Sequence, residues 1–513
     1  MDRYDSIIIG AGHNGLVCAA RLAGAGQRVL LLEAAARPGG FAAARDFHGL
    51  PASVAHTIGH FPRHVARELD LAAHGFDLPA ATLPLVGLGR DRDPVVVDDN
   101  GVSGAAPGDD AAWRLLDRRL ARFAAALSPF WFRAMPRIGA RSLGDRLTFL
   151  RLGLRLRRLG RDELHEFLRI AALPVRDLLD EVLDDALLKA VLAWDGLIGG
   201  KLAPRSPNGA VLTLLYRRAG NPSGRHALPP GGCAGLAAAL VAAAEQRGAV
   251  IRCDARVRRV MIDAGGTGLA ATGVELADGE LIAADTIVSS ADPRTTFVDL
   301  VGVRHLDIGF TNRIRRLRCD GFVAKLHLAL DGPPVFEGVE SAAARLIVAP
   351  DMDALEFAYD DAKYGHCPED PVMEIVVPTV ADPSLAQGDR HLLSAHVMYV
   401  PRHRKGGWTA AARDALADRV VDVIARHAPA IRGQIVGREL LTPADLEAAC
   451  GATGGHWHHT EFAIDQLLMM RPTYEAARYR TPIPGLWLCG AGTHPGGDLT
   501  GAAGYNAATE IIG

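Results

Sequence analysis

Seven cysteines in 513 residues are too few and too scattered to act in groups. Cys18, Cys233, Cys253, Cys319, Cys367, Cys450 and Cys489 never stand closer than 20 positions apart, which excludes a CxxC redox pair and a zinc-ligand spacing. That usage predicts a reducing, cytoplasmic setting in which each cysteine is a small core hydrophobe. Charge of one sign is lacking too: 56 Lys and Arg stand against 59 Asp and Glu, a net charge of -3, so the chain as a whole shows no footprint for nucleic acid. No apolar run reaches the ~18 residues of a spanning helix, and no secretory leader precedes the first strand-like run. Internal repeats and low-complexity tracts are missing apart from Ala-rich helical stretches. What remains is an ordinary globular composition, 49% hydrophobic and 22% charged, long enough for two domains or more.

The first forty residues carry the strongest signal. Ser6-Ile7-Ile8-Ile9 reads as a strand, Gly10-Ala11-Gly12-His13-Asn14-Gly15 follows, Leu16 to Ala25 has helical character, and Gln27 to Leu32 reads as a second strand ending on Glu33. This strand, GxGxxG, helix, strand and acid form the dinucleotide-binding βαβ unit in its required context. Gly10 permits the tight turn, Gly12 lets backbone N–H groups approach a pyrophosphate at the helix N-terminus, and Gly15 lets the helix pack close to the strand. Glu33 is placed to accept from a ribose diol.

The next residues choose between dinucleotides. Glu33-Ala34-Ala35-Ala36-Arg37-Pro38-Gly39-Gly40 is an ExxxRxGG run that resembles the FAD-binding signature of large flavoprotein oxidoreductases. A second strand–GxGxxG–helix unit is missing: Gly265-Gly266-Thr267-Gly268 reads as a hairpin loop, and Gly454-Gly455 lies in a His-rich stretch. FAD is therefore expected without a resident nicotinamide partner. Near the C-terminus, Leu486 to Gly490 reads as a buried strand, Ala491 to Thr500 as a turn containing Gly492, Asp498 and Leu499, and Gly501 to Ile512 as a helix. A helix N-terminus aimed at the flavin would favour negative charge on the reduced ring, by ~0.3–2 kcal/mol.

With both ends in view, the chain resembles the phytoene dehydrogenase-like FAD-dependent oxidoreductases, in the branch of pyridine nucleotide-disulfide oxidoreductase domain-containing protein 2. The resemblance runs nearly end to end, through Leu228 to Gly232, Val250 to Cys253, Val257 to Val260, Ala283 to Pro293, Val377-Pro378-Thr379, Gly454-Gly455-His456 and Arg471-Pro472. It implies an α/β protein: a Rossmann-type FAD/NAD(P)-binding doubly wound domain with an inserted α+β substrate domain of antiparallel sheet and helices. The FAD-binding domain is expected at residues 1–80, 225–300 and 465–513, and the substrate domain at 81–224 and 301–464. Helical patterns dominate the first insert, and Phe322 to Leu328 in the second alternates with the period of a strand. The cofactor set it implies is Gly10, Gly12, His13, Asn14, Gly15, Glu33, Ala34, Arg37, Gly39, Gly40, Val257, Gly490, Gly492, Asp498, Leu499 and Thr500. Asp498 stands where many relatives have Gly, and Tyr505 where Arg is common. Asp498 is read as a helix N-cap, a contact to the ribityl chain or a charge that lowers the flavin potential.

Hydride removal by a flavin needs a C–H bond held over the ring and a base for any acidic proton. Histidines are the candidates: His494 in the flavin-edge turn, His458 in the His456-His458-His459 cluster, and His56 with His60 after the ExxxRxGG run. The same cluster lacks the acid or thiol pattern that would complete a metal site. The expected activity is dehydrogenation of a lipophilic or secondary-metabolite substrate to a C=C or C=N bond, with electrons passed to a quinone or oxygen. A redox-neutral flavin isomerase and a non-catalytic flavoprotein module are the other readings. Finally, Leu143, Leu147, Leu150 and Leu154 recur at helical spacing among Arg146, Arg151, Arg155, Arg157, Arg158 and Arg161. The stretch 143–161 is either a domain helix with a solvated basic face or a peripheral contact with an anionic membrane. Oligomeric state is not legible.

Overall fold

The structure is a computed structural model that describes residues 3–59, 61–77, 82–137, 143–265 and 268–513. The opening unit folds as its pattern dictates. Strand β1 (Arg3–Ile9) runs into the glycine turn, helix α1 (His13–Gly24) buries Leu16, Val17, Cys18, Ala19, Ala20 and Leu22, and strand β2 (Val29–Leu32) returns parallel to β1 with all four residues buried. The sheet grows by parallel pairing of Val250–Arg252 on β2 and Leu281–Ser289 on β1. Leu281–Ser289 then forks. Its end pairs parallel with Leu486–Leu488, and its start pairs antiparallel with Gly268–Leu276, which leads to Val257–Gly265. Two of these strands, Val29–Leu32 and Leu486–Leu488, are apolar and buried along their whole length. Residues 266–267, in the stretch read as a hairpin loop, and the expected domain boundary at 80/81 lie outside the described residues.

A second sheet has eight strands. It is antiparallel except for the pair Arg345–Val348 with Leu85–Leu88. The first insert, expected to be mostly helical, also contributes three of these strands, Leu85–Leu88, Val95–Asp98 and Gly101–Ser103. The alternating run of the second insert is the strand Val323–Asp331, buried at every position up to Leu330. Its period-2 pattern does mark two faces, but neither meets solvent. Ala324, Leu326 and Leu328 pack into an apolar cluster with Leu393, Leu416 and Val420, while Lys325 and His327 turn the other way. That places a buried lysine on the side of the first sheet's loops. All seven cysteines are free. No helix among the described residues is long and apolar enough to cross a membrane.

Candidate functional site

Segments hundreds of residues apart converge on the turn after β1. Gly10 takes φ 94°, and a Cβ on Gly15 would lie 2.1 Å from the Gly10 carbonyl oxygen, so α1 packs against the turn only because Gly15 has none. The ExxxRxGG segment folds back beside it: Gly12 bridges Gly39, the Gly39 N–H donates to the Ala11 carbonyl (2.8 Å), and a Cβ on Gly40 would sit 3.2 Å from Gly12 Cα. Glu33 stands at the end of β2. Its carboxylate accepts from the Ala11 N–H (2.7 Å) and the Ala35 N–H (2.9 Å), which fixes it under the turn with lone pairs to spare. Ala34 and Arg37 are exposed, and Val257 is buried where its strand begins beside Leu30 and Leu32. From the C-terminus, Gly490 closes on the Ser290 carbonyl, Gly492 on Pro293, and Gly504 on Asn14, whose Oδ1 accepts from the Gly504 N–H (3.4 Å). A Cβ on Gly504 would fall 1.9 Å from the Asn14 carbonyl oxygen. Gly504→Ala is therefore expected to push the C-terminal helix (Ala502–Ile512) off α1, lowering stability by ~1–3 kcal/mol and FAD retention with it. Thermal unfolding and the flavin content of the purified variant check this.

Beside this cradle lies a chamber of about 100 Å³ lined by His13, Phe41, His56, Arg217, Glu374, His396, Trp457, His458, Asp498 and Leu499, among others. It shares Gly59, Arg217, His226, Arg345 and Asp498 with an outer cavity of about 260 Å³. The outer wall is half apolar, with Leu85, Trp113, Leu120, Trp131, Leu178 and Leu192, and half charged, with Asp117, Arg218 and Arg225.

The floor of the chamber is a buried ionic chain that the sequence did not announce. Glu374 accepts from Arg345 (3.1 and 2.7 Å), Trp194 Nε1 (2.8 Å) and His56 Nε2 (3.1 Å). Arg345 also donates to Asp195 (2.6 and 3.1 Å). On its other ring nitrogen His56 meets Lys325 Nζ at 3.0 Å, and its ring stacks on His396 at 3.6 Å between centroids. Burial raises the Glu374 carboxyl, but the Arg345 guanidinium outweighs it and holds the group well below the usual carboxylate range, so it is ionised. Burial pushes the Lys325 amine well below its ordinary value, and burial with the Lys325 charge takes His56 down to about 3. His56 is thus uncharged at neutral pH, and the Lys325 amine is shifted toward its neutral form. The ligand atoms of His56, Glu374 and His396 lie within 4.8 Å of one another, yet Glu374 is saturated by Arg345 and Trp194, and His396 Nε2 is bonded to the Val54 carbonyl (2.9 Å). With Arg345 and Lys325 alongside, this is an ion-pair network rather than a cation site.

The three histidine candidates fare differently. His494 is fully buried with both ring nitrogens engaged: Nε2 donates to the Phe130 carbonyl (2.6 Å) and Nδ1 accepts from Tyr216 OH (2.8 Å). It braces the C-terminal turn and offers no free nitrogen, which corrects its placement as a base. His458 accepts from Arg217 Nη2 at Nε2 (3.0 Å), so its Nδ1 carries the hydrogen, beside Gly497. It is a donor, again not a base. His56 lines the chamber, but Glu374 and Lys325 engage both of its ring nitrogens, so like His494 it offers no free nitrogen as a base; His60 lies outside the described residues. His456 Nδ1 accepts from the His458 N–H (3.1 Å), so the histidine cluster is a hydrogen-bonded turn. Asp498 does not cap the C-terminal helix, where Thr500 Oγ1 accepts from Ala502 N–H (3.2 Å). Asp498 instead holds a left-handed backbone (φ 66°), which Asp tolerates, and its carboxylate lies 3.4 Å from Arg217 Nε. Tyr505 does not line the chamber; its ring lies under Arg21 (3.9 Å) and edge-on to His64.

Buried polar atoms without partners cluster here: His13 Nε2, Trp457 Nε1, His458 Nδ1 and His459 Nδ1. The first three belong to residues that line the chamber. Buried polar groups are normally hydrogen-bonded, and donors and acceptors of this kind suit the nitrogen- and oxygen-rich edge of a flavin, while the Gly12 cradle and Glu33 suit its pyrophosphate and ribose. The residues present fit FAD.

The sequence profile of the family described as flavin containing amine oxidoreductase matches residues 15–512. The chain belongs to this family. It is 31% identical over 545 residues to pyridine nucleotide-disulfide oxidoreductase domain-containing protein 2 of Rattus norvegicus, covering 99% of this chain and 93% of that protein. It is 25% identical to the lycopene-forming phytoene desaturase of a Paracoccus species, covering 99% and 96%. Among solved structures, wild-type putrescine oxidase superposes with a TM-score of 0.62 at 15% identity over 99% of this chain and 98% of the other, a likeness of fold. The chain is an FAD-dependent oxidoreductase with a Rossmann-type α/β fold, as its resemblance implied.

Proposed function

We propose that the protein removes a hydride and a proton from a small molecule with an apolar body and a polar group, forming a C=C or C=N bond, and passes the electrons to a quinone or oxygen. The observation that carries this reading is the pairing of two connected cavities, one half apolar and one walled by His56, Glu374, His458 and Asp498. A wholly lipophilic substrate would leave the charged half of the outer cavity unmatched, so the substrate class is amphipathic. FAD, when bound, supplies the two-electron acceptor. Gly12, Gly39 and Gly40 would hold its pyrophosphate, Glu33 its ribose, and His13, Trp457 and His458 would donate to or accept from the ring. The apolar helical wall would orient the substrate body and exclude water. Glu374 with Arg345 on one side and Lys325 on the other fixes the His56 ring in the chamber wall.

Anaerobic mixing of the holoprotein with amphipathic alcohols, amines and alkenes, following loss of the flavin band, tests the reading. A substrate that bleaches the flavin supports it; bleaching only by wholly apolar hydrocarbons overturns the substrate class. With such a substrate, Lys325→Met, which unties the His56 ring on one side, is expected to keep FAD and slow bleaching by up to ~10²-fold through lost positioning. An unchanged rate constant would remove Lys325 from the mechanism.

A further inference from the structure

The helix Leu143–Arg158 packs on the wrong side for its leucines. Its buried or half-buried residues are Asp145, Thr148, Phe149, Leu152 and Leu156, and Asp145 anchors it to Arg478 at 2.8 Å. Leu143, Leu147, Leu150 and Leu154 follow i, i+4, i+7 and i+11 along the opposite face and are 76%, 48%, 57% and 45% exposed. Helix geometry puts Arg146 and Arg157 on one flank of this stripe and Arg151 and Arg158 on the other. None of these four arginines has a carboxylate within ion-pair distance among the described residues, whereas Arg155, on the packed side, bonds the Ala125 carbonyl and Ser128 (both 2.8 Å). Each neighbouring helix also carries an exposed leucine: Leu115 on Asp109–Leu127 is 63% exposed, and Leu168 on Arg161–Ala171 is 61% exposed.

An apolar stripe turned to solvent and bordered by unpaired cations is stable on one kind of surface, an interface with an apolar layer beneath and anionic groups above. We propose that the face built by Leu143, Leu147, Leu150 and Leu154 with Arg146, Arg151, Arg157 and Arg158 docks the protein on an anionic lipid surface. The leucines enter the acyl boundary and the guanidiniums meet headgroup phosphates, bidentate where geometry allows. Charge complementarity selects this occupant: four cations bordering the stripe, with no carboxylate partner among the described residues, disfavour self-pairing with a second copy. The same Asp109–Leu127 helix carries Trp113 and Leu120 into the outer cavity, so docking would bring the cavity near the lipid. The proposal is independent of the reaction assigned to the flavin site.

Flotation of the holoprotein with phosphatidylcholine vesicles, with and without phosphatidylglycerol, tests it. The expected result is binding to the anionic vesicles, weakened by salt and lowered about tenfold or more in Leu147→Ser/Leu150→Ser. The exposed positions leave folding intact, which the flavin spectrum verifies. Arg151→Gln/Arg158→Gln is expected to lose the preference for anionic lipid. No binding of the wild type to anionic vesicles, or binding unaffected by the leucine changes, overturns the proposal. So does a dimer in light scattering that the leucine changes dissociate, which would give the face to a second copy.

Discussion

Arg471→Met is expected to lower stability by ~4 kcal/mol and to strip FAD from the protein. Arg471 is fully buried, and its guanidinium donates to six backbone carbonyls: His458 (2.6 Å), Thr460 (3.3 Å), Glu461 and Gln466 (3.2 Å each), Ala491 (2.9 Å) and Thr493 (3.3 Å). One cation thus ties the loop carrying Trp457 and His458 to the turn carrying His494 and Asp498. Burial takes its pKa down to about 10, so it remains charged at neutral pH. Methionine preserves length but leaves the carbonyls without donors, at ~1–3 kcal/mol for each that water cannot reach. Relief of the buried charge offsets part of that sum. Arg471→Lys is expected to recover only a fraction, because an ammonium has three donors and no planar fork. Urea unfolding of the holoprotein measures the loss; a change under ~1 kcal/mol would mean the two segments are held by something else.

The second large effect is acid instability. Burial lowers His13 and His494 from 6.5 to about 4, and His56 and His456 to about 3. Each is neutral in the fold and titrates near 6.5 in the unfolded chain. A depressed folded-state pKa gives stability that is present above the unfolded pKa and lost as pH falls from it. Below 6.5 the unfolded chain takes up four protons that the folded chain refuses until pH 3–4. At ~1.4 kcal/mol per proton per pH unit the slope reaches ~5 kcal/mol per unit, against a total of ~5–15 kcal/mol. Unfolding is therefore expected between about pH 4 and 5.5. Lys325 has the same sign at higher pH: its amine is depressed well below 10.5, so stability should fall as pH drops below that value, and this component should vanish in Lys325→Met. Urea midpoints from pH 9 to pH 4 read both. A flat profile between pH 7 and 5 would mean that the histidines are not buried as neutral rings.

The cofactor cradle was legible because its chemistry is local and steric. Glycines at 10, 12 and 15, the acid at 33 and the pair at 39 and 40 stand close together in sequence around one βαβ unit, and at Gly15 the Gly10 carbonyl leaves room for no side chain. The chamber was not legible for the opposite reason. Lys325, Arg345 and Glu374 come from three strands and Asp195 from a helix, and only the pairing of those strands brings them within hydrogen-bond reach. One sign was present: Lys325 and His327 alternate with Ala324, Leu326 and Leu328, a polar face on a strand too apolar to lie at a surface. The histidines misled because a residue type says nothing about how its nitrogens are used, and His494 spends both on the scaffold. The leucines of 143–154 gave their period but not their direction, since helical spacing describes a packed face and a free one equally well.

A flavin that exchanges electrons at this cleft is the feature on which every role in the reaction assigned above depends. The most direct measurement is to purify the protein with FAD, bleach the flavin with light under nitrogen, then admit a quinone or air while following the oxidised band. The account predicts one FAD per chain, full bleaching and return of the band with at least one of the two acceptors. A protein that holds no flavin when FAD is supplied in excess, or one whose reduced flavin neither acceptor can oxidise, would contradict it.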